Sequence, residues 1–193
     1  MLTRDQVRVA RVLDPLPESQ DFACAGGAAL IAHGLVQRST VDLDYFGRRL
    51  GDVAELLPAA EEALVGSGCE VRRERVATET GFARLEVRPD RGDPVGLDLS
   101  HDYRMRPVVE TELGRTLHPE ELAADKVLAL FGRAYARDFR DVDALAGRFG
   151  HRRLLHLAAE KDPGFSPEVF GQMMGRIEHL SAEDLQVPAG ELD

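Results

Sequence analysis

The segment Phe22-Ala23-Cys24-Ala25-Gly26-Gly27-Ala28-Ala29-Leu30-Ile31-Ala32-His33, followed after a short gap by Thr40-Val41-Asp42-Leu43-Asp44-Tyr45, fixes the architecture. Phe22 to Ala25 reads as a short apolar strand that stops at Gly26-Gly27. Ala28 to Val36 reads as a helix with Leu30, Ile31 and Leu35 on its apolar side, and the alternation from Val41 to Tyr45 returns as a strand. On a strand, side chains two apart share a face, with a rise of about 3.3 Å per residue. Asp42 and Asp44 therefore project together, rooted roughly 7 Å apart. Two such carboxylates can converge on a hard cation: magnesium takes one or two carboxylates plus substrate phosphates, and two-metal phosphoryl transfer uses the same donors. Asp-x-Asp alone is also the pattern of a solvated strand face. The preceding Gly26-Gly27 turn adds backbone N–H groups that can approach a phosphate closely.

Outward from this segment the pattern stays mixed. Thr3-Arg4-Asp5-Gln6 has capping-box spacing and opens a helix that runs to Asp14-Pro15. Asp52-Val53-Ala54-Glu55 starts another helix, ending at Gly66-Ser67-Gly68. Cys69 to Val76, Gly81 to Val87 and Pro94 to Leu99 then read as three strands. From Pro119 onward the signal is helical, with stops near Gly150, Pro163-Gly164 and Pro188. The expectation is an α+β class protein: a mixed-sheet lobe over residues 1–115 and a helical lobe over 116–193.

Further charged positions stand out. In Val95-Gly96-Leu97-Asp98-Leu99 the apolar residues define one face and put Asp98 on the other. Asp98 is either an exposed strand acid or the third carboxylate of the site, completing the metal site or taking the proton of an incoming hydroxyl; it ranks above Asp93 and Asp102. Of 24 basic residues, 22 are arginine, which singles out Lys126 and Lys161. Lys126 lies in a helical stretch with Arg133 seven positions on, a spacing that shares a face. A compact ammonium there suits triphosphate charge, and Arg133 and Arg137 suit bidentate contacts to phosphate. Asp138 and Asp141, at the start of the next helix, cap it, pair with Arg137 or Arg140, or orient Lys126; Asp138 reads as structural and Asp141 as functional.

Composition narrows the classes. A net charge of −10 argues against nonspecific coating of nucleic acid, although arginine clusters permit a local basic groove. Cys24 and Cys69 are too few for a disulfide framework and read as reduced packing residues. The six histidines lack zinc-ligand spacing, and His33 reads as helix packing. Neither a Gly-x-Ser-x-Gly elbow nor a Walker A loop is present. No signal peptide or membrane-length apolar run occurs, so the expectation is a soluble cytoplasmic protein. The residues by themselves reach metal-dependent transfer to or from a nucleoside triphosphate.

Glycine turn, helix and Asp-x-Asp strand follow the order of polymerase-β-like nucleotidyltransferases. Gly26-Gly27-Ala28-Ala29-Leu30, His33, Arg38-Ser39-Thr40-Val41-Asp42-Leu43-Asp44, and the late block Lys126-Val127-Leu128-Ala129-Leu130, Arg133, Arg137-Asp138 and Asp141 resemble the motifs of the AbiEii/MenT nucleotidyltransferase toxins, over roughly residues 20–150. Ala28 departs from the threonine or serine frequent there. The resemblance implies a toxin of a toxin–antitoxin pair that moves nucleotides from an NTP to an RNA acceptor, in some members the tRNA 3′ end, and so blocks translation. It implies magnesium, or manganese in its place, bound by Asp42, Asp44 and Asp98. Gly26, Gly27, Arg38, Thr40 and Arg133 would bind the nucleotide, and Lys126 and Asp141 would complete the active site. A cognate antitoxin, of a kinase-like kind, and tRNA are the expected partners, with no membrane. A phosphate on Thr40 would add about −1.5 to −2 charge where substrate phosphate belongs, an off switch. Two rival readings are a nucleotidyltransferase with a protein or small-molecule acceptor and a noncatalytic nucleotide-binding module.

Overall fold

A computed structural model describes residues 1–180; the expected helix stop near Pro188 lies outside the described residues. The chain divides into two compact units, Met1–Pro119 and the residues from Glu120 onward.

In the first unit, helix α1 (Arg4–Leu13) starts with the expected capping box: the Thr3 hydroxyl accepts from the Gln6 N–H at 3.1 Å and the Thr3 N–H donates to Gln6 Oε1 at 2.8 Å. Strand β1 (Ala23–Ala25) runs directly into helix α2 (Gly26–Ala32), which leads to strand β2 (Asp42–Gly47) and helix α3 (Asp52–Gly66). Strands β3 (Cys69–Ala77), β4 (Phe82–Pro89), β5 (Val95–His101), β6 (Val109–Thr111) and β7 (Gly114–Thr116) complete a seven-stranded sheet in the order β3-β4-β5-β2-β1-β7-β6. β2 pairs parallel with β5 and antiparallel with β1, so the sheet is mixed as expected.

Helix α2 is shorter than its apolar pattern and ends early for a local reason. Gly34 takes a φ of +65°, the Gly34 N–H donates to Ile31 and the Leu35 N–H to Leu30, which together close a Schellman turn. Leu35 and Val36 then bury as loop residues.

Period-two alternation separates the faces of the central strands. Leu43, Tyr45, Ala83, Leu85, Val87, Val95, Leu97 and Leu99 are buried together with Val53, Leu56, Ala60 and Leu64 of α3 and Val9, Ala10 and Leu13 of α1. Each large side chain so buried contributes about 1.5–3 kcal/mol. The opposite face of the same strands carries the acids.

The second unit holds α4 (Pro119–Gly132), α5 (Ala136–Phe149), α6 (His151–Lys161) and α7 (Pro167–Met174). Apolar stripes bury Leu122, Val127 and Leu130 of α4, Phe139, Val142 and Leu145 of α5, and Leu154 and Leu157 of α6. Phe165 packs edge-on against Phe131 at 5.2 Å and near Phe170 at 5.7 Å. Lys161, one of the two lysines, is buried at the end of α6 and pairs with Glu121, at 2.9 Å, and with Asp125 of α4. That buried pair ties the two helices together.

Candidate active site

Strand register brings the expected acids into one row. Across the sheet, Ala25 of β1 pairs with Asp44 of β2, Asp44 with Asp98 of β5, Asp98 with Arg84 of β4, and Arg84 with Arg75 of β3. Neighbouring strands lie about 4.8 Å apart, so Asp44 and Asp98 stand side by side on one face. Asp42 is one step along β2, opposite Gly96. Asp42 and Asp44 are half-buried, their apolar neighbours Leu43 and Tyr45 wholly in the core.

Two glycines make room for these carboxylates. Gly26, with φ of +59°, lets the backbone turn from β1 into α2; a Cβ there would overlap Asp44 Oδ2 and lie 2.7 Å from its Cγ. A Cβ on Gly96 would overlap Asp42 Oδ1. Glycine inside an otherwise bulky strand often marks such a close approach, a signal in the sequence that the reading above did not use.

Gly27 has Arg38 and Thr40 beside it: an added Cβ would stand 2.8 Å from an Arg38 terminal nitrogen and 3.1 Å from Thr40 Oγ1. β2 begins only at Asp42, so Thr40 does not share the face through strand alternation. It reaches the glycine turn from the preceding loop, where its carbonyl accepts from Gln6 Nε2 at 2.9 Å.

Asp98 lies in the expected row, but both its oxygens accept from Arg84, at 2.6 and 2.5 Å. This bond, more than the surrounding charge, holds the Arg84 guanidinium above the usual arginine range. Among the described residues no group of three or more His, Cys, Asp or Glu could hold a metal ion. Asp42 and Asp44 nevertheless fit magnesium, which needs only one or two carboxylates beside substrate oxygens. The row is also electrostatically felt behind the sheet: burial first, and then the charge of Asp44, pushes the Cys24 thiol well up, leaving it an inert packing residue.

His33, at the end of α2, has Nε2 3.0 Å from both the Leu117 carbonyl and Thr116 Oγ1. Thr116 donates its hydroxyl proton to Val109 O at 2.7 Å, so a proton assigned to His33 Nε2 satisfies both neighbours. The histidine braces α2 against β7, the packing role expected, and burial lowers its pKa.

In the helical unit, Lys126 is buried and lies 2.9 Å from Asp141 and 3.9 Å from Asp138. Asp141 thus orients the lysine. Asp138 pairs with neither Arg137 nor Arg140; Arg133 donates to it through Nε and a terminal nitrogen, at 3.0 and 3.2 Å. The expected Lys126–Arg133 face holds to the end of α4: the Arg133 N–H donates to the Ala129 carbonyl at 3.0 Å, and both cations reach Asp138. Arg133 also lies over the exposed Tyr135 ring at 5.1 Å.

The family model for the nucleotidyl transferase AbiEii toxin of type IV toxin–antitoxin systems matches residues 9–172. No curated protein matches the sequence. Among solved structures, MenT4, a nucleotidyltransferase toxin from Mycobacterium tuberculosis, is 17% identical with a TM-score of 0.60, over 94% of this chain and 85% of that one. JHP933 from Helicobacter pylori is 20% identical with a TM-score of 0.55, over 96% and 95%. The antibiotic-resistance factor ANT(2'')-Ia is 17% identical with a TM-score of 0.56, over 92% and 97%. At these identities the structures share the fold with this chain, a polymerase-β-like α+β nucleotidyltransferase lobe. With the family model spanning most of the sequence, the chain belongs to the AbiEii nucleotidyltransferase toxin family.

Proposed function

We propose that this chain transfers a nucleotide from an NTP to an RNA acceptor, the tRNA 3′ end, in a magnesium-dependent reaction that blocks translation. The observation that carries it is the row of Asp44 and Asp98 beside the Gly26 turn, with Asp42 on the same face. In this reading Asp42 and Asp44 hold the metal, which supplies charge neutralisation on the triphosphate. The backbone at Gly26 and Gly27, with Arg38 and Thr40, receives the phosphates. Asp98 takes the proton of the acceptor hydroxyl as its oxygen bonds to the α-phosphorus and pyrophosphate leaves. Lys126, set by Asp141, contributes positive charge to triphosphate binding, and Arg133 is the adjoining arginine of that cluster. Manganese can take the place of magnesium with the same donors. The protein acts in the cytoplasm, opposed by a cognate antitoxin.

The test incubates the chain with labelled NTPs and total tRNA, with and without magnesium. Labelled tRNA from the wild type, and none from Asp42→Ala, supports the reading. Label on a polypeptide or a small molecule instead would move the acceptor to that class, which the net charge of −10 favours over RNA. Absence of turnover with every acceptor leaves a nucleotide-binding module.

A kinase-like antitoxin would act on Thr40, whose hydroxyl sits beside Gly27 and Arg38. Thr40→Glu is expected to be inactive and Thr40→Val at least partly active in the same assay. Full activity of Thr40→Glu removes the switch.

A further inference from the structure

The acid row carries its own positive charge. Asp98 is only 8% exposed, and its position is set by β5. The side chain of Arg84 is 44% exposed and reaches Asp98 from the solvent side of β4. The buried carboxylate is therefore the fixed half of the pair, and the long guanidinium side chain the movable half. Arg84 also feels the charge of Asp42 and of Glu74 on β3. Beyond it in the row stands Arg75, which lies over the Phe82 ring at 5.3 Å. Three carboxylates on one sheet face repel one another, and a single bidentate guanidinium offsets part of that repulsion.

Asp98 held in this way has one acceptor site on each oxygen taken and its charge offset by Arg84, which makes it a weaker proton acceptor, and the nearby positive charge opposes entry of a divalent cation. A triphosphate changes both conditions, since it adds negative charge and offers oxygens that a guanidinium binds in the same forked geometry.

We propose that Arg84 is an internal counter-ion of the acid row, a positioning residue that withholds Asp98 and weakens cation binding until nucleotide draws the guanidinium away. The proposal rests on the reading of Asp42 and Asp44 as metal ligands and Asp98 as the proton acceptor. It makes cation and nucleotide binding mutually reinforcing through one side chain, as linkage requires.

The experiment measures Mn2+ binding to the full chain by electron paramagnetic resonance, without nucleotide and with a nonhydrolysable NTP analogue. Wild type is expected to bind Mn2+ weakly alone and more tightly with the analogue. Arg84→Gln is expected to bind Mn2+ about tenfold more tightly without nucleotide, and to lose most of the analogue's enhancement. Arg84→Lys keeps the charge without the fork and should fall between the two. Arg88→Gln removes an equal charge from the same strand, where Arg88 pairs with Glu86 at 3.3 Å, and should change Mn2+ affinity less than about twofold. Unchanged Mn2+ binding in Arg84→Gln and Arg84→Lys, or an equal gain in Arg88→Gln, overturns the proposal. Asp42→Asn separates this failure from failure of the metal reading: if it retains Mn2+ binding in the wild-type and Arg84→Gln backgrounds, the metal assignment itself is wrong.

Discussion

The acid row on β2 and β5 and the Lys126 cluster on α4 and α5 both group ionisable side chains, but they differ in how their charge is balanced. Asp42 and Asp44 are half-buried, and no hydrogen bond or ion pair engages Asp42 among the described residues. In the cluster, Asp138 is wholly buried and Asp141 is 1% exposed, and each has a cation within bonding reach. A charge left partly in water tolerates removal. A charge taken out of water is costly unless paired, so the cluster depends on its own completeness. Under the proposed function, Asp42 would serve binding, while the buried, paired acids of the cluster serve stability.

The largest effects test that division directly. Asp42→Asn should change the unfolding free energy by less than about 0.5 kcal/mol, while transfer falls about 10³-fold, the equivalent of about 4 kcal/mol in the barrier. Asp141→Ala should instead destabilise by about 3–5 kcal/mol in urea unfolding, because it takes the nearest carboxylate from the buried Lys126 ammonium and leaves Asp138, already bonded to Arg133, at 3.9 Å. The double variant Lys126→Met with Asp141→Leu should recover most of that stability without recovering activity. A destabilised Asp42→Asn or an unaffected Asp141→Ala would erase the contrast.

An intermediate effect separates backbone conformation from carboxylate placement. Gly26 and Gly34 both have positive φ, but a Cβ on Gly34 would meet nothing within 4 Å, whereas one on Gly26 meets Asp44. Both alanine variants should lose about 1–2 kcal/mol for the backbone alone. Only Gly26→Ala should also lose transfer, since Asp44 must move. Equal activity in the two variants would detach Asp44 from the site.

The smallest effect concerns the brace beneath the glycine turn. Burial depresses the His33 pKa, so the folded chain holds the neutral ring. As pH falls through the ordinary histidine value of about 6.5, the unfolded state takes up the proton first, and stability declines toward lower pH. His33→Gln should flatten the stability curve between about pH 7 and pH 5, read from urea midpoints, by no more than one proton's worth of slope. An unchanged slope would mean that His33 does not titrate differently in the two states.

What the sequence revealed was what local periodicity encodes. The Thr3 capping box, the α3 span from Asp52 to Gly66, the glycine turn and the shared face of Asp42 and Asp44 each follow from spacing within a single element. The Arg84–Asp98 pair was not legible, because it depends on the register of β4 against β5, which alternation alone leaves open by steps of two. The partner of Asp138 was not legible for a different reason: it is Arg133 at the end of α4, brought to it by the turn before α5. Thr40 lies two residues before β2, and its place at the glycine turn comes from tertiary approach, which no spacing within an element encodes.

The parallel pairing of β2 with β5 has a consequence for how the protein is made. Between Asp44 and Asp98 the chain must traverse α3 and the β3–β4 hairpin before the row can close. Such nonlocal pairing comes at the cost of loop closure and forms slowly compared with a hairpin. A growing chain that has emerged only as far as β4 has two of its acids on a strand without the third beside them. The acid row therefore closes only once β5 has joined the sheet, and a chain truncated before β5 lacks Asp98 beside Asp44 however well its first helices form.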